Sequence, residues 1–510
     1  MTRGSAFVVL SLSFIVAFGL LLRLVGAGER SLWHDEIYAL RTVIRPTASL
    51  ISWPLVDNGN MYLFYWLAHA WAQLLPAIPP VDELALRALP IALSTLAIPV
   101  TYLVGREVAQ LLFSDGRTRT IAPLLAALSL AISPVAVLYG QDFRAYSLQL
   151  LLMAVSLLSM LTAYRSTATR YRSLPWVTYV IVTSVLGYTH MLSVPSIFAQ
   201  ITGGLLLTLS PQFHHLRKPL VTSATIITLV HLPLAAAVLT GGAGQIGWIP
   251  PITLARFTDV LSTLIGAPQR YLTPMSAVAA GGTVVLMLLA VRQAVASIRT
   301  ARPVVALILF PLFFTFIAGA MISVVGRPLW IERYYSHLAL PIALLTGSGT
   351  ALALQWARTI RVTWRRPAAF SVVALALGLV LSGTIASSSA VASRETFQDW
   401  KGASALISAE CVGASTVQLY TSKKLMDDFA LYGVDTTAHL LLGPNDPIPA
   451  FKAGETVCLI ARSYADQREK EEALLNGLTK LGRVVQNTER FDRVDEWWVT
   501  AIYLIRVEVR

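Results

Sequence analysis

The chain has 510 residues, 55% of them hydrophobic and 13% charged, with a net charge of +12. Mean hydropathy is +0.63, and apolar runs of about 18 or more residues recur, the length a helix needs to cross a bilayer, which excludes an ordinary soluble protein. Nucleic-acid binding is excluded by how the charge is spread. Residues 1–388 hold 26 Lys and Arg against 11 acids, and residues 389–510 hold 14 against 17, so the basic excess belongs to the apolar part, where basic loops set topology.

Taken in order, the first predicted span covers residues 5–26, with Arg3 ahead of it and Arg23 near its end. Its length makes an uncleaved span the better reading than a signal peptide, and Arg3 puts the N-terminus in the cytoplasm. Residues 27–60 form a polar, aromatic outer loop, followed by Met61–Leu75, an apolar stretch of only 15 residues. Counted as a span, it would put the loops holding Arg106, Arg117 and Arg119, or Arg358, Arg361, Arg365 and Arg366, on the outer side. That breaks the positive-inside rule repeatedly, so the stretch reads as an interfacial or re-entrant helix, as its Tyr and Trp content suits. Ten further spans follow at 86–104, 121–138, 147–163, 176–190, 191–209, 220–239, 274–291, 304–323, 336–356 and 368–387, or eleven in all. With these sides, 16 of the 26 basic residues are inner, and of the 11 acids only Glu107 and Asp115 are. Residues 1–388 then form the membrane domain and 389–510 an extracytoplasmic tail.

In the tail, helix-like segments at 399–409, 423–432 and 464–481 separate β-rich runs at 416–420, 456–460 and 497–505, the pattern of a small α/β domain. No Gly-rich phosphate loop follows these strands. Both cysteines, Cys411 and Cys458, lie here. Outside the cytoplasm they are able to pair, and two unpaired core cysteines fit the sequence equally.

Four stretches predicted on the outer face carry the chemistry-bearing residues. Trp33, His34, Asp35, Glu36 and Tyr38 follow span one, and Asp57, Asn58, Asn60 and Tyr62 open the interfacial helix. Asp142 and Arg144 interrupt Tyr139–Tyr146, and Glu332, Arg333 and Tyr334 lead into span ten. Acids at a membrane boundary need a wet cavity or a partner. Carboxylates facing arginines suit group transfer from a phosphate donor, one taking the acceptor's proton while the other meets the departing phosphate charge. The plainer readings are local ion pairs or lipid-headgroup contacts for Asp142/Arg144 and Glu332/Arg333, and interfacial packing for the aromatic residues. His34 reads as a loop hydrogen-bonding residue and His190 as structural. A metal, if used, would be Mg²⁺ or Mn²⁺ on oxygen ligands such as Asp35, Glu36, Asp57 or Asp142, and nothing in their spacing demands one.

The order of these motifs resembles the GT-C membrane glycosyltransferases, in the bacterial branch related to protein O-mannosyltransferases and the lipid A aminoarabinose transferase. The resemblance rests on Leu32-Trp-His-Asp-Glu-Ile-Tyr38, on Leu86-Arg-Ala-Leu-Pro90 into Tyr102–Arg106, on Ser133-Pro134 into Tyr139–Ser147, and on Glu332–Pro341. Asp399-Trp-Lys-Gly-Ala-Ser404 resembles the start of the outer domain in that branch. It implies a polytopic α-helical fold with interfacial helices in the first outer loop, in a bacterial cytoplasmic (inner) membrane. The donor implied is a hexose or pentose on a polyprenyl phosphate, and the acceptor, reached on the periplasmic face, is a protein, lipid or polysaccharide. Asp35 would be the catalytic base with Glu36 supporting it, and Asp142 a second acid. Arg333, with Tyr334 and Arg144, would hold the lipid phosphate. Trp33, Tyr38, Asp57, Asn58, Asn60, Tyr62 and Glu332 would line the acceptor side. Where relatives carry His-Pro-Pro or Asn-Pro-Pro, this chain reads Asn58-Gly-Asn-Met61, so any contact made there falls to Asp57, Asn58 or Asn60. The alternative function is a polytopic transporter or lipid-linked sugar flippase, which would predict two related halves; no such repeat is present.

Overall fold

The computed structural model describes residues 3–51, 60–76, 80–165, 173–241, 249–326, 328–360, 365–394, 399–413, 416–420, 423–436, 439–441, 450–464, 482–494 and 498–509. Contacts divide the chain into two compact units: Met1–Val25, Arg45–Ala70 and Ala88–Ser393 in the first, and Gly26–Ile44, Trp71–Arg87 and Arg394–Arg510 in the second.

The first unit is helical, and each of the eleven predicted spans holds a helix. Among the described residues, eight helices are long and apolar enough to cross a membrane, or nine if the bent pair Gly116–Ala131 and Pro134–Gly140 is one span. The remaining two are short. Ser173–Thr189 has 17 residues and Val194–Leu207 has 14, joined by the 3₁₀ turn Met191–Ser193. His190 sets the break, because its ring accepts from the Leu192 amide (3.2 Å) where a continuing helix would run. The helix in Met61–Leu75 is Tyr62–Ala72, 11 residues and too short to span. Leu10, Phe14, Leu288 and Leu375 are 60–71% exposed, an outward apolar face that suits lipid. Inside, small residues let helices close up: a Cβ on Gly347 would lie 2.3 Å from the Ala126 backbone nitrogen.

The bent pair shows how this unit handles polar backbone. The two helices meet at 53°, which frees carbonyls at the end of Gly116–Ala131. Arg23 reaches them from the first helix. It donates to Ala131 O at 3.0 Å, to Gly19 O at 2.8 Å and to Ser94 Oγ at 2.8 Å, with no side-chain surface left in contact with solvent. The negative end of a helix dipole favours a cation there. The two acids expected on the inner side also have local roles. Glu107 pairs with Arg165, and Asp115 caps Gly116–Ala131 through the Thr118 amide (2.8 Å) and hydroxyl (2.7 Å). Those bonds hold the Asp115 carboxyl below the usual range.

The second unit is built on a five-stranded mixed sheet, in the order β2-β1-β3-β5-β4. Its strands are β1 (Thr416–Tyr420), β2 (His439–Leu441), β3 (Thr456–Tyr464), β4 (Gly482–Val494) and β5 (Trp498–Val509). β1 pairs in parallel with β2 and β3, and β5 runs antiparallel to β3 and β4, with Val457 opposite Val507 and Leu459 opposite Ile505. Leu419, Val457, Leu459, Ile505 and Val507 form the core of this unit. β4 lies at one edge of the sheet, and the charged residues in its sequence, Arg483, Glu489, Arg490, Asp492 and Arg493, hide the strand from pattern reading. Helices Trp400–Glu410 and Lys423–Leu431 match the first two predicted in the tail, and the third lies mostly outside the described residues.

Cys411 and Cys458 are joined as a disulfide, with Cα atoms 5.9 Å apart and a sequence separation of 47. Closing a loop of that size restricts the unfolded chain. Cys411→Ser in the full chain should lower stability by about 2–4 kcal/mol, read as a fall in melting temperature that a thiol reductant reproduces in the native protein. An unchanged melting temperature in both would show the bond to be dispensable.

Candidate functional site

The Asp-Glu stretch belongs to the second unit, where it opens helix His34–Val43. Glu36 is fully buried. Its carboxylate accepts from Arg87 Nε at 2.9 Å and Nη2 at 2.6 Å, and from the Trp33 amide at 3.1 Å. Arg87 extends the arrangement by donating to Ala27 O (2.7 Å), Arg30 O (2.8 Å) and Ser31 O (3.0 Å). All five guanidinium N–H groups are thereby used, which only arginine's planar fork permits. Neighbouring Asp35 is part-exposed, as are Trp33, His34 and Tyr38. The adjacent acids have therefore separated in role. Glu36 fixes the turn, and Asp35 stands on it.

The tail supports this turn from several sides. Lys401 donates to Glu83 Oε2 at 2.9 Å, and its backbone N–H to Ser31 Oγ at 2.9 Å. The Leu32 amide donates to Tyr432 Oη at 2.8 Å, and burial keeps the Tyr432 phenol well above its ordinary range and so neutral. Arg41 ties His34–Val43 to Lys423–Leu431 through Asp428 (2.7 Å) and Lys424 O (2.6 Å). Lys424 Nζ lies 3.4 Å from His34 Nε2, so that histidine, read from sequence as a loop residue, opens a helix and meets a second one.

The stretches at 139–146 and 332–334 meet within the first unit, together with the helix Tyr62–Ala72. Arg144 donates to Tyr65 Oη at 3.3 Å, and Phe143 packs on Phe64 at 5.8 Å between centroids. Tyr139 donates to Glu332 Oε1 at 3.0 Å. Tyr139, Tyr146, His190 and Tyr334 form a continuous line of rings with centroid spacings of 5.1, 5.5 and 5.8 Å, and the Arg333 guanidinium lies 5.8 Å from the Tyr334 ring. Asp142 and Arg144 are buried at 5% and 8% exposure, whereas Glu332, Arg333 and Tyr334 are half-open. Asp57 and Asn58 lie outside the described residues. Asn60 and Tyr62 are part-exposed, and Met61 between them adopts φ 59°, a left-handed conformation uncommon for a residue with a side chain. Among the described residues no three His, Cys, Asp or Glu side chains gather at one place.

The sequence matches no family model and no curated protein. In structure it is similar to ArnT from Cupriavidus metallidurans in the apo state, with a TM-score of 0.55 at 12% identity over 98% of each chain. For the same protein bound to undecaprenyl phosphate the TM-score is 0.55 at 14% identity, over 96% of this chain and 97% of the other. The fold is GT-C. The apo oligosaccharyltransferase of Archaeoglobus fulgidus has a TM-score of 0.49 at 14% identity, over 88% of this chain and 62% of that one.

Arg87, Tyr65, Tyr139 and Tyr146 had no role assigned from sequence. For Arg87 a signal existed, since an arginine in the first turn of an apolar span needs a partner. Helix Leu254–Leu264 lies between two predicted spans where the sequence reading placed no element, although Leu254, Phe257, Val260, Leu261 and Leu264 repeat at helical spacing behind a Thr253 cap.

Arg87→Ala leaves a buried carboxylate uncompensated and should cost about 3–5 kcal/mol of stability. Arg87→Lys should recover little of it, because an ammonium cannot serve Glu36 and three carbonyls together. Adding Glu36→Gln to Arg87→Ala should regain part of the loss by removing the stranded charge. Thermal unfolding of the three variants in detergent checks this, and a double variant no more stable than Arg87→Ala would contradict it.

Proposed function

We propose that this protein is a membrane glycosyltransferase that moves a sugar from a polyprenyl-phosphate carrier to an acceptor on the outer, periplasmic face of a bacterial inner membrane. The observation that carries the reading is the likeness over nearly the whole chain to ArnT, whose structure was obtained bound to undecaprenyl phosphate. Two features support the side. The basic loops of the spans favour an N-terminus inside and a tail outside, and a disulfide such as Cys411–Cys458 persists in oxidising compartments.

The reaction in this reading is a single displacement. Asp35 takes the proton of the acceptor nucleophile as that atom attacks the anomeric carbon. The bond from that carbon to the phosphate oxygen breaks, and its electron pair leaves with the lipid phosphate. Arg333, with Arg144 and Tyr334, meets the charge that develops there. Asp142 is the second acid, and Trp33, Tyr38, Asn60, Tyr62 and Glu332 are assigned to the acceptor side together with Asp57 and Asn58. Glu36 acts through position, since its carboxylate is held by Arg87. With no covalent intermediate the sugar carbon inverts. A hexose and a pentose both fit this chemistry, and a divalent cation on Asp35 or Asp142 would add to phosphate neutralisation.

The test is to incubate the protein, reconstituted in liposomes, with a panel of polyprenyl-phosphate-linked hexoses and pentoses plus a periplasmic extract as acceptor, reading polyprenyl phosphate released. Asp35→Asn should reduce release about a hundredfold or more while folding normally, and Arg333→Ala should reduce it as well. Full release by Asp35→Asn would remove the base from this mechanism. Movement of lipid-linked sugar across the bilayer without any release would instead favour the flippase.

A further inference from the structure

We propose that His337 is a positioning residue that fixes the turn carrying Arg333, an inference that rests on the phosphate-binding role proposed above for Arg333. His337 lies on the 3₁₀ turn Glu332–Leu338, four residues beyond Arg333, where helix Ala339–Thr359 begins. It is 1% exposed. Packing alone would be met there by leucine or phenylalanine, with no polar group to satisfy. Instead, both ring nitrogens have partners on other helices.

The partners define the tautomer. Gln149 Nε2 faces Nδ1 at 3.3 Å. An amide nitrogen only donates, so Nδ1 accepts and the neutral ring carries its proton on Nε2. Nε2 then donates to Ser196 Oγ at 2.7 Å, and Ser196 is free to donate onward to Thr315 Oγ1 at 2.9 Å. The Gln149 amide also donates to Ser193 Oγ at 2.9 Å. These partners come from helices Tyr146–Arg165, Val194–Leu207 and Phe310–Val325 and from the turn Met191–Ser193. Away from water such bonds are strong and costly to leave unmade, so the ring has one orientation, and with it the rotation of the turn about the axis of Ala339–Thr359.

A second pin lies at the other end of the same turn, where Glu332 accepts from Tyr139 Oη at 3.0 Å. Arg333 and Tyr334 sit between the two pins. Tyr139 and Gln149 flank the Asp142/Arg144 loop in the chain, so each pin ties the Arg333 turn to one side of that loop. The pair of cations assigned to the phosphate is thus held in register by residues that touch no phosphate themselves.

The test is equilibrium binding of undecaprenyl phosphate to the purified full chain and to Arg333→Ala, His337→Leu, His337→Gln and Ser196→Ala. His337→Leu should weaken binding about tenfold. His337→Gln, whose amide N–H reaches the Nε2 position, should bind within about threefold of the native protein at the same melting temperature. If His337→Leu does not fold, Ser196→Ala removes a single oxygen and should weaken binding in the same direction. Loss of binding in Arg333→Ala with native affinity in a folded His337→Leu, or in Ser196→Ala where His337→Leu does not fold, would overturn the positioning role and leave the donor site standing. Native affinity in Arg333→Ala, or no binding by the native chain, would overturn the donor site and this inference with it.

Discussion

The guanidinium of Arg87 carries five N–H groups, and each meets an oxygen: two on Glu36 and three on the backbone of residues 27–31. A charge near the start of an apolar helix, as Arg87 is in Glu83–Leu112, costs several kcal/mol if left alone. Its presence therefore dictates what surrounds it: a buried carboxylate, and a loop that turns three of its carbonyls inward. The turn that results presents Asp35 beside a carboxylate held by three donors. Positioning of this kind gives a general base a fixed place without making the base itself part of the scaffold.

The same constraint recurs in the first unit. Arg23 closes the carbonyls freed by the bend between Gly116–Ala131 and Pro134–Gly140, and His337 joins three helices through its two ring nitrogens. Polar groups in an apolar medium are confined to places where their partners already exist. They consequently report where the helices are least able to shift. Those places border the segments holding Asp142, Arg144 and Arg333, while the outward faces of the unit are plain apolar surface with Leu10, Phe14, Leu288 and Leu375 exposed.

Much of this was legible in the chain. The eleven apolar segments each became a helix, Tyr62–Ala72 proved too short to span, and β1, β3 and β5 fell where β-branched and aromatic residues cluster. The misses have physical causes. β4 is an edge strand whose charged residues mask a period of two, and helix Leu254–Leu264, with 11 residues, is too short to register as a span. Whether Cys411 and Cys458 pair was open, because 47 residues of separation fix no distance. The resemblance made Asp35 the base and Glu36 its support, and that Glu36 is bound by Arg87 lay beyond it, because sequence gives residue types and not their partners.

Composition and periodicity determined that this is a helical membrane protein with a mixed tail, because transfer from water to lipid acts on each residue locally and sums along the chain. Charge along the loops set the expected sides for the same additive reason. Tertiary structure alone decided that Glu36 belongs to Arg87, that Arg144 meets Tyr65, and that Glu332 and His337 hold the Arg333 turn. Those bonds join residues from 51 to 193 positions apart. Their existence depends on which helices pack together, a property of the whole fold that no local pattern carries.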